Sequence, residues 1–142
     1  MDAVERLVAI EAIKLLKARY FRCLDTKDWA GFADLFTEDA VMDMTSEGAA
    51  ITTGNREIAA FVEGAVGDVT TVHHGHTPEI EITSPTTATG LWAMEDKLRW
   101  PHGAPLGSMH GYGHYHETYE LVSAEWRIKT LELTRLRVDF DG

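Results

Sequence analysis

Residues Thr86–Trp100 read TTATGLWAMEDKLRW, and the reading of this stretch decides the fold. Successive residues of a strand point to opposite faces, so Trp92, Met94 and Asp96 share one face while Leu91, Ala93, Glu95 and Lys97 share the other. An acid beside Trp and Met is either a pocket acid or the solvent-facing end of a strand. Periodicity defines the two faces but not which of them is inside.

Working outward, HTPEIEIT, MHGYGHYHETYELVS and EWRIKTLELTRLRVDF are also strand-like, and the four runs are separated only by SP, the Pro/Gly loop PHGAPLG and SAE. Long runs on short connectors predict a strongly curved antiparallel meander. Everything before Thr70 has a different character. From Ala3 to about Leu24 the residues Ala9, Ile13, Leu16, Tyr20 and Leu24 recur at helical spacing without Gly or Pro. Asp28 is placed to cap a short second helix reaching Phe36. AVMDM and AAITTG read as short strands around a turn at Glu47-Gly48, and NREIAAFVEGA as a third helix. Helices first and a meander last define an α+β class in which the helices cover one face of the sheet.

The chain has 142 residues, the usual size of one domain, and we expect one domain over 1–142. Its hydrophobic fraction of 44% and charged fraction of 25% are those of an ordinary globular protein. A formal net charge of −10 opposes nucleic acid and anionic membrane surfaces as partners and leaves a small molecule. No apolar run approaches the roughly 20 residues of a membrane span. The first residues, MDAVERLVAIEAIKLL, mix acids and bases in a helical pattern rather than a signal pattern, so a cytoplasmic location is expected. The single cysteine, Cys23, permits no internal disulfide and is expected to pack.

The remaining signal is histidine. VHHGHTP and HYHETYE both contain His-x-His, which puts two imidazoles on one face of a strand and suits a metal. For His102, His114 and His116 polar surface is the favoured reading, and no metal or cofactor is expected. No serine lies in a Gly-x-Ser-x-Gly elbow, so acyl chemistry has no candidate nucleophile. General acid–base catalysis needs a His and a carboxylate brought together by the fold. Asp25 ends the long helix, where the helix dipole does not favour an acid. It either meets a histidine or merely starts the turn to Asp28.

ARYFRCLDTKDWAGFADLFTEDAVMDM, TTGNREIAAFV, VHHGHTPEIEI, TGLWAMED and GYGHYHETYELVSAEWRI, in this order, resemble the SnoaL-like families of the nuclear transport factor 2-like superfamily. The resemblance implies a cone: three helices packed into a strongly bent antiparallel sheet around a deep apolar pocket. It also implies a His–Asp pair of the kind used by dehydratases and dehydrochlorinases of that superfamily. By that resemblance His73 is the base, with His74 turned away unless the chain is irregular there. Asp25 orients His73, and Tyr20 donates to a developing oxyanion or leaving oxygen. Asp96 matches a further pocket acid and Arg135 a late arginine, for which a register change would substitute Arg137. Trp29, Met42, Trp92 and Met94 are expected as apolar walls. Met44 stands where a second hydroxylated aromatic would be sought, with His110, Tyr112 and Tyr115 as substitutes. The phase of Met109–Val122 is open because Gly111 and Gly113 invite a bulge or a close approach.

The activity expected is a cofactor-independent lyase or isomerase acting on a hydrophobic cyclic small molecule. The alternatives are a non-catalytic binding module, a polyketide cyclase, or a ketosteroid-isomerase-like enzyme in which an Asp is itself the base. A homo-oligomer, dimer or trimer, is expected.

Overall fold

The computed structural model describes residues 1–141. Helix α1 (Ala3–Asp25) begins at a capping box in which Asp2 accepts from the Glu5 amide and Glu5 reaches back to the Asp2 amide. Its buried stripe is Ala9, Ile13, Leu16, Lys17, Tyr20, Cys23 and Leu24. Helix α2 (Trp29–Ala33) is capped by the Asp28 carboxylate but ends earlier than expected, because Phe36 already starts a strand. After β1 (Phe36–Asp43) come a 3₁₀ turn (Thr45–Glu47), β2 (Ile51–Thr53) and α3 (Asn55–Val66). The meander follows as β3 (Thr70–Ser84), β4 (Thr87–Arg99), β5 (Ser108–Val122) and β6 (Glu125–Asp141).

The six strands form one sheet in the order β2-β1-β6-β5-β4-β3. The meander is antiparallel throughout, as predicted. Its last strand pairs with β1 in parallel, so the sheet is mixed. That pairing joins segments about ninety residues apart, beyond the reach of local pattern.

Two of the sheet's register breaks help set which side chains enter the core. On β3, Thr77 and Pro78 fall in the register break between His76 and Glu79, and Thr77 has a φ of 40°. Thr71 and His73 face inward before the break, Ile80 and Ile82 after it. On β6, Tyr112 pairs with Arg137 and Gly113 with Arg135, leaving Leu136 as the extra residue. Arg135 therefore faces in and Arg137 out, although a regular strand would put both on one face. Gly113 is needed there, because a Cβ would run into the Thr134 carbonyl.

Candidate active site

The C-terminal end of α1 delivers Asp25 to the inward face of β3. Its Oδ1 accepts from Thr71 Oγ1 at 2.9 Å and lies 2.7 Å from His73 Nδ1, and its Oδ2 accepts from the His73 amide at 2.8 Å. A carboxylate only accepts hydrogen bonds, so the His73 Nδ1 proton points at Asp25. Nε2 of the neutral ring is then a free lone pair. It faces the interior, 3.8 Å from Asp96 Oδ2.

His73, Asp96, Tyr20 and Arg135 line one cavity of about 430 Å³ with Tyr115, Met42 and Met44. Leu98, Met109 and Phe140 from the sheet, Trp100 just past the end of β4, and Phe61, Val62 and Val66 from α3 complete an apolar wall. Asp96 is buried, and both its oxygens are engaged by Arg135: Nη1 to Oδ1 at 2.7 Å and Nη2 to Oδ2 at 3.0 Å. Arg135 also donates to Glu47 Oε1 through Nε and Nη2, at 2.9 and 2.6 Å. Burial alone would lower the Arg135 guanidinium, but the hydrogen bonds and charges of Asp96 and Glu47 outweigh it and hold it above its ordinary range. Gly111 makes room for this cluster, since a Cβ there would collide with both the guanidinium and the Asp96 carboxylate.

Burial raises the Tyr20 hydroxyl well above its ordinary value, with the charge of Glu117 adding to the effect. Tyr115 is raised in the same way, by burial first. Both phenols therefore stay protonated across the ordinary pH range and can act as donors.

Behind the two tyrosines lies an ion pair that the sequence reading missed. Lys17 is fully buried, and its Nζ is 2.5 Å from Glu117 Oε2. The ammonium sits over the ring of Tyr20 at 3.5 Å and that of Tyr115 at 3.8 Å. Glu117 Oε1 accepts from the Tyr119 hydroxyl at 2.6 Å, which itself accepts from Trp92 Nε1 at 2.9 Å. Burial lowers Lys17 to about 8 despite its carboxylate partner.

Tyr20, Met42, Met44, His73, Asp96, Tyr115 and Arg135 lie together on the cavity wall, Asp25 stands behind His73, and His74 is exposed on the opposite face. Five expected site residues are corrected. Trp29 packs on the core from α2 and borders a separate polar groove between α2 and α3. Trp92 is core, held by its bond to Tyr119. Met94 lies behind the cavity with its sulfur 3.8 Å from Arg135 Nη1. His110 and Tyr112 point outward and stack on each other at 4.4 Å, because β5 turns its odd residues Tyr115, Glu117 and Tyr119 inward. Glu47 and Thr71 were also missed. The turn at Glu47-Gly48 was recognised, but nothing local aims its carboxylate at β6.

Helices packed on a curved sheet, with a histidine–carboxylate pair on the wall of a partly open apolar cavity, define the class, and the comparisons give the family. Residues 5–132 match the SnoaL-like domain family, to which the chain belongs. It is 27% identical over 139 residues to the probable cyclase FGR4 of Gibberella zeae, covering 90% of this chain and 91% of that protein. A provisionally named scytalone dehydratase from Novosphingobium aromaticivorans superposes with a TM-score of 0.85 at 25% identity, covering 96% of this chain and 89% of the other. The hexachlorocyclohexane dehydrochlorinase LinA-type3 of Novosphingobium barchaimii has the same fold, with a TM-score of 0.86, 18% identity and coverage of 99% and 95%. Cyclase and dehydratase relatives support an enzyme-like role in small-molecule chemistry. No described helix is long and apolar enough to cross a membrane.

Proposed function

We propose that the protein is a cofactor-independent lyase or isomerase, of dehydratase type, for a hydrophobic cyclic molecule that bears a hydroxyl or carbonyl group. The observation that carries this reading is the His73 ring, bound through Nδ1 to Asp25 at 2.7 Å with Nε2 facing an apolar cavity. His73 Nε2 takes a proton from carbon, and the C–H electron pair forms the new double bond. In an elimination the C–O bond breaks as Tyr20 or Tyr115 donates a hydrogen bond to the leaving oxygen, and the His73 imidazolium returns its proton to that oxygen, which departs as water and leaves the ring neutral. In an isomerisation the same phenols stabilise the enolate. Asp25 offsets the charge of the imidazolium that forms.

Neither aspartate is a good direct base. The Asp96 oxygens are both taken by Arg135, and those of Asp25 by Thr71 and His73. This favours His73 over the ketosteroid-isomerase-like alternative. An aldol-type cyclisation begins with the same deprotonation, so the cyclase relative is compatible with the same dyad. The working unit is a homo-oligomer, and light scattering that found only monomer at micromolar concentration would overturn that part of the proposal.

The test is a thermal-shift screen of cyclic alcohols and ketones, followed by mass spectrometry of each bound compound for loss of water or a changed double-bond position. Positioned acid–base catalysis contributes about 10²- to 10⁴-fold, and His73→Ala in a folded variant should lose that much. A binding module would retain its ligand and form no product in either protein.

A further inference from the structure

The sheet face opposite the cavity carries a second cluster of titratable groups that the proposed chemistry does not use. His74 and His76 leave β3 two residues apart, both exposed, and Glu95 of β4 is paired directly with His74. One ligand atom from each of the three lies within 4.8 Å of the others. His76 Nε2 is 2.9 Å from Glu95 Oε2, and the second oxygen, Oε1, is 2.9 Å from His110 Nε2. His110 is itself steadied by its stack on Tyr112.

We propose that His74, His76 and Glu95 form a surface site for one divalent first-row transition ion, of the Zn²⁺ or Ni²⁺ type. Two imidazoles and one carboxylate suit these borderline ions, whereas Mg²⁺ and Ca²⁺ prefer oxygen-only shells. Three protein ligands leave a fourth position for water. Metal–ligand bonds of about 2.0–2.2 Å require the three donor atoms to close in slightly from their present spacing. Both imidazoles are exposed and can turn. The bond between His76 and Glu95 gives way to bonds to the ion, while His110 holds the other carboxylate oxygen and keeps Glu95 oriented.

The site lies on the reverse of the dyad. His73 pairs with Asp96 in the same two strands in which His74 pairs with Glu95. A bound ion ties β3 to β4 where they carry His73 and Asp96. It stiffens the cavity wall without entering it.

The outer face supplies its own control. His114 and His116 also lie there on β5, and His116 Nε2 is 2.9 Å from Thr134 Oγ1. Among the described residues no third ligand closes a group with these two. The experiment is calorimetric titration of the untagged chain with Zn²⁺ and, separately, Ni²⁺, together with thermal unfolding. The expected result is one ion per chain with a Kd tighter than about 100 µM. At a hundredfold excess over Kd, Tm should rise by about 5–10 °C. His74→Ala and Glu95→Gln should each weaken binding at least about tenfold, and His110→Ala by about tenfold through loss of the outer partner. His114→Ala/His116→Ala should bind as the wild type does. Wild-type binding weaker than that limit, unchanged binding in His74→Ala, or loss of binding in the His114/His116 variant instead would overturn the proposal.

Discussion

Replacing Lys17 by Met keeps the unbranched stem of the side chain and deletes its charge. The Glu117 carboxylate then loses its counter-ion in a site that is closed to water on every side. At 2.5 Å, and with an effective dielectric constant of about 20, the lost attraction is on the order of 6–7 kcal/mol. The ammonium no longer has to be desolvated, which offsets part of that loss, and breaking one side of a buried pair costs about 3–5 kcal/mol net. The contacts over Tyr20 and Tyr115 are lost as well. With a urea m-value near 2 kcal/mol/M, Lys17→Met should lower the unfolding midpoint by about 2 M. Adding Glu117→Gln removes the orphaned charge and keeps an oxygen for the Tyr119 hydroxyl, so the double variant should regain at least half of the loss. Equilibrium urea unfolding followed by circular dichroism measures all three proteins. A Lys17→Met midpoint within about 0.5 M of wild type would refute the reasoning, because it would mean the pair is not what neutralises Glu117.

Lys17 also predicts a pH dependence. Its pKa is lowered from 10.5 to about 8 on folding, so above pH 8 the unfolded chain holds more of this proton than the folded one. Its contribution to stability therefore rises with pH. The slope of unfolding free energy between pH 8 and about 9.5, below the range where unfolded tyrosines ionise, should be more positive in wild type than in Lys17→Met. Equal slopes would contradict the lowered value. Gly111→Ala places a methyl group against Arg135 and Asp96 and should cost about 1–3 kcal/mol. Gly64→Ala, in open space on α3, should be stabilising by about 0.5–1 kcal/mol. Thermal unfolding of the two variants separates a packing requirement at Gly111 from a general intolerance of substitution.

Much of this arrangement was legible because it follows from period. The apolar stripe of α1 and the alternation of β4 already put Tyr20 inside and Asp96 on one face with Trp92 and Met94. Depth was not legible. A tryptophan on the inner face can line a cavity or fill the core, and Trp92 fills the core because Tyr119 satisfies its N–H. The inner face of β5 was obscured by Gly111 and Gly113, the two residues whose missing side chains make room for Arg135 and the bulge. The Lys17–Glu117 pair did leave a trace in the sequence. A lysine on the apolar stripe, four residues from Ile13, and a glutamate between Tyr115 and Tyr119 are each out of place alone. Pairing them requires knowing that β5 lies under α1, a contact between residues one hundred positions apart.

The claim that His73 takes a proton from carbon is tested most directly by solvent exchange. A compound that binds the cavity, as judged by shifts in the Met42 and Met44 methyl resonances, is incubated with the protein in D₂O, and its carbon-bound deuterium is measured by mass spectrometry. Wild type should incorporate deuterium at one carbon or release an eliminated product, and His73→Ala should do so at least about 10²-fold more slowly. Deuterium incorporation at the same rate in both proteins would contradict the claim. So would bound ligand that neither exchanges nor reacts, and in that case the cavity is a binding site without chemistry.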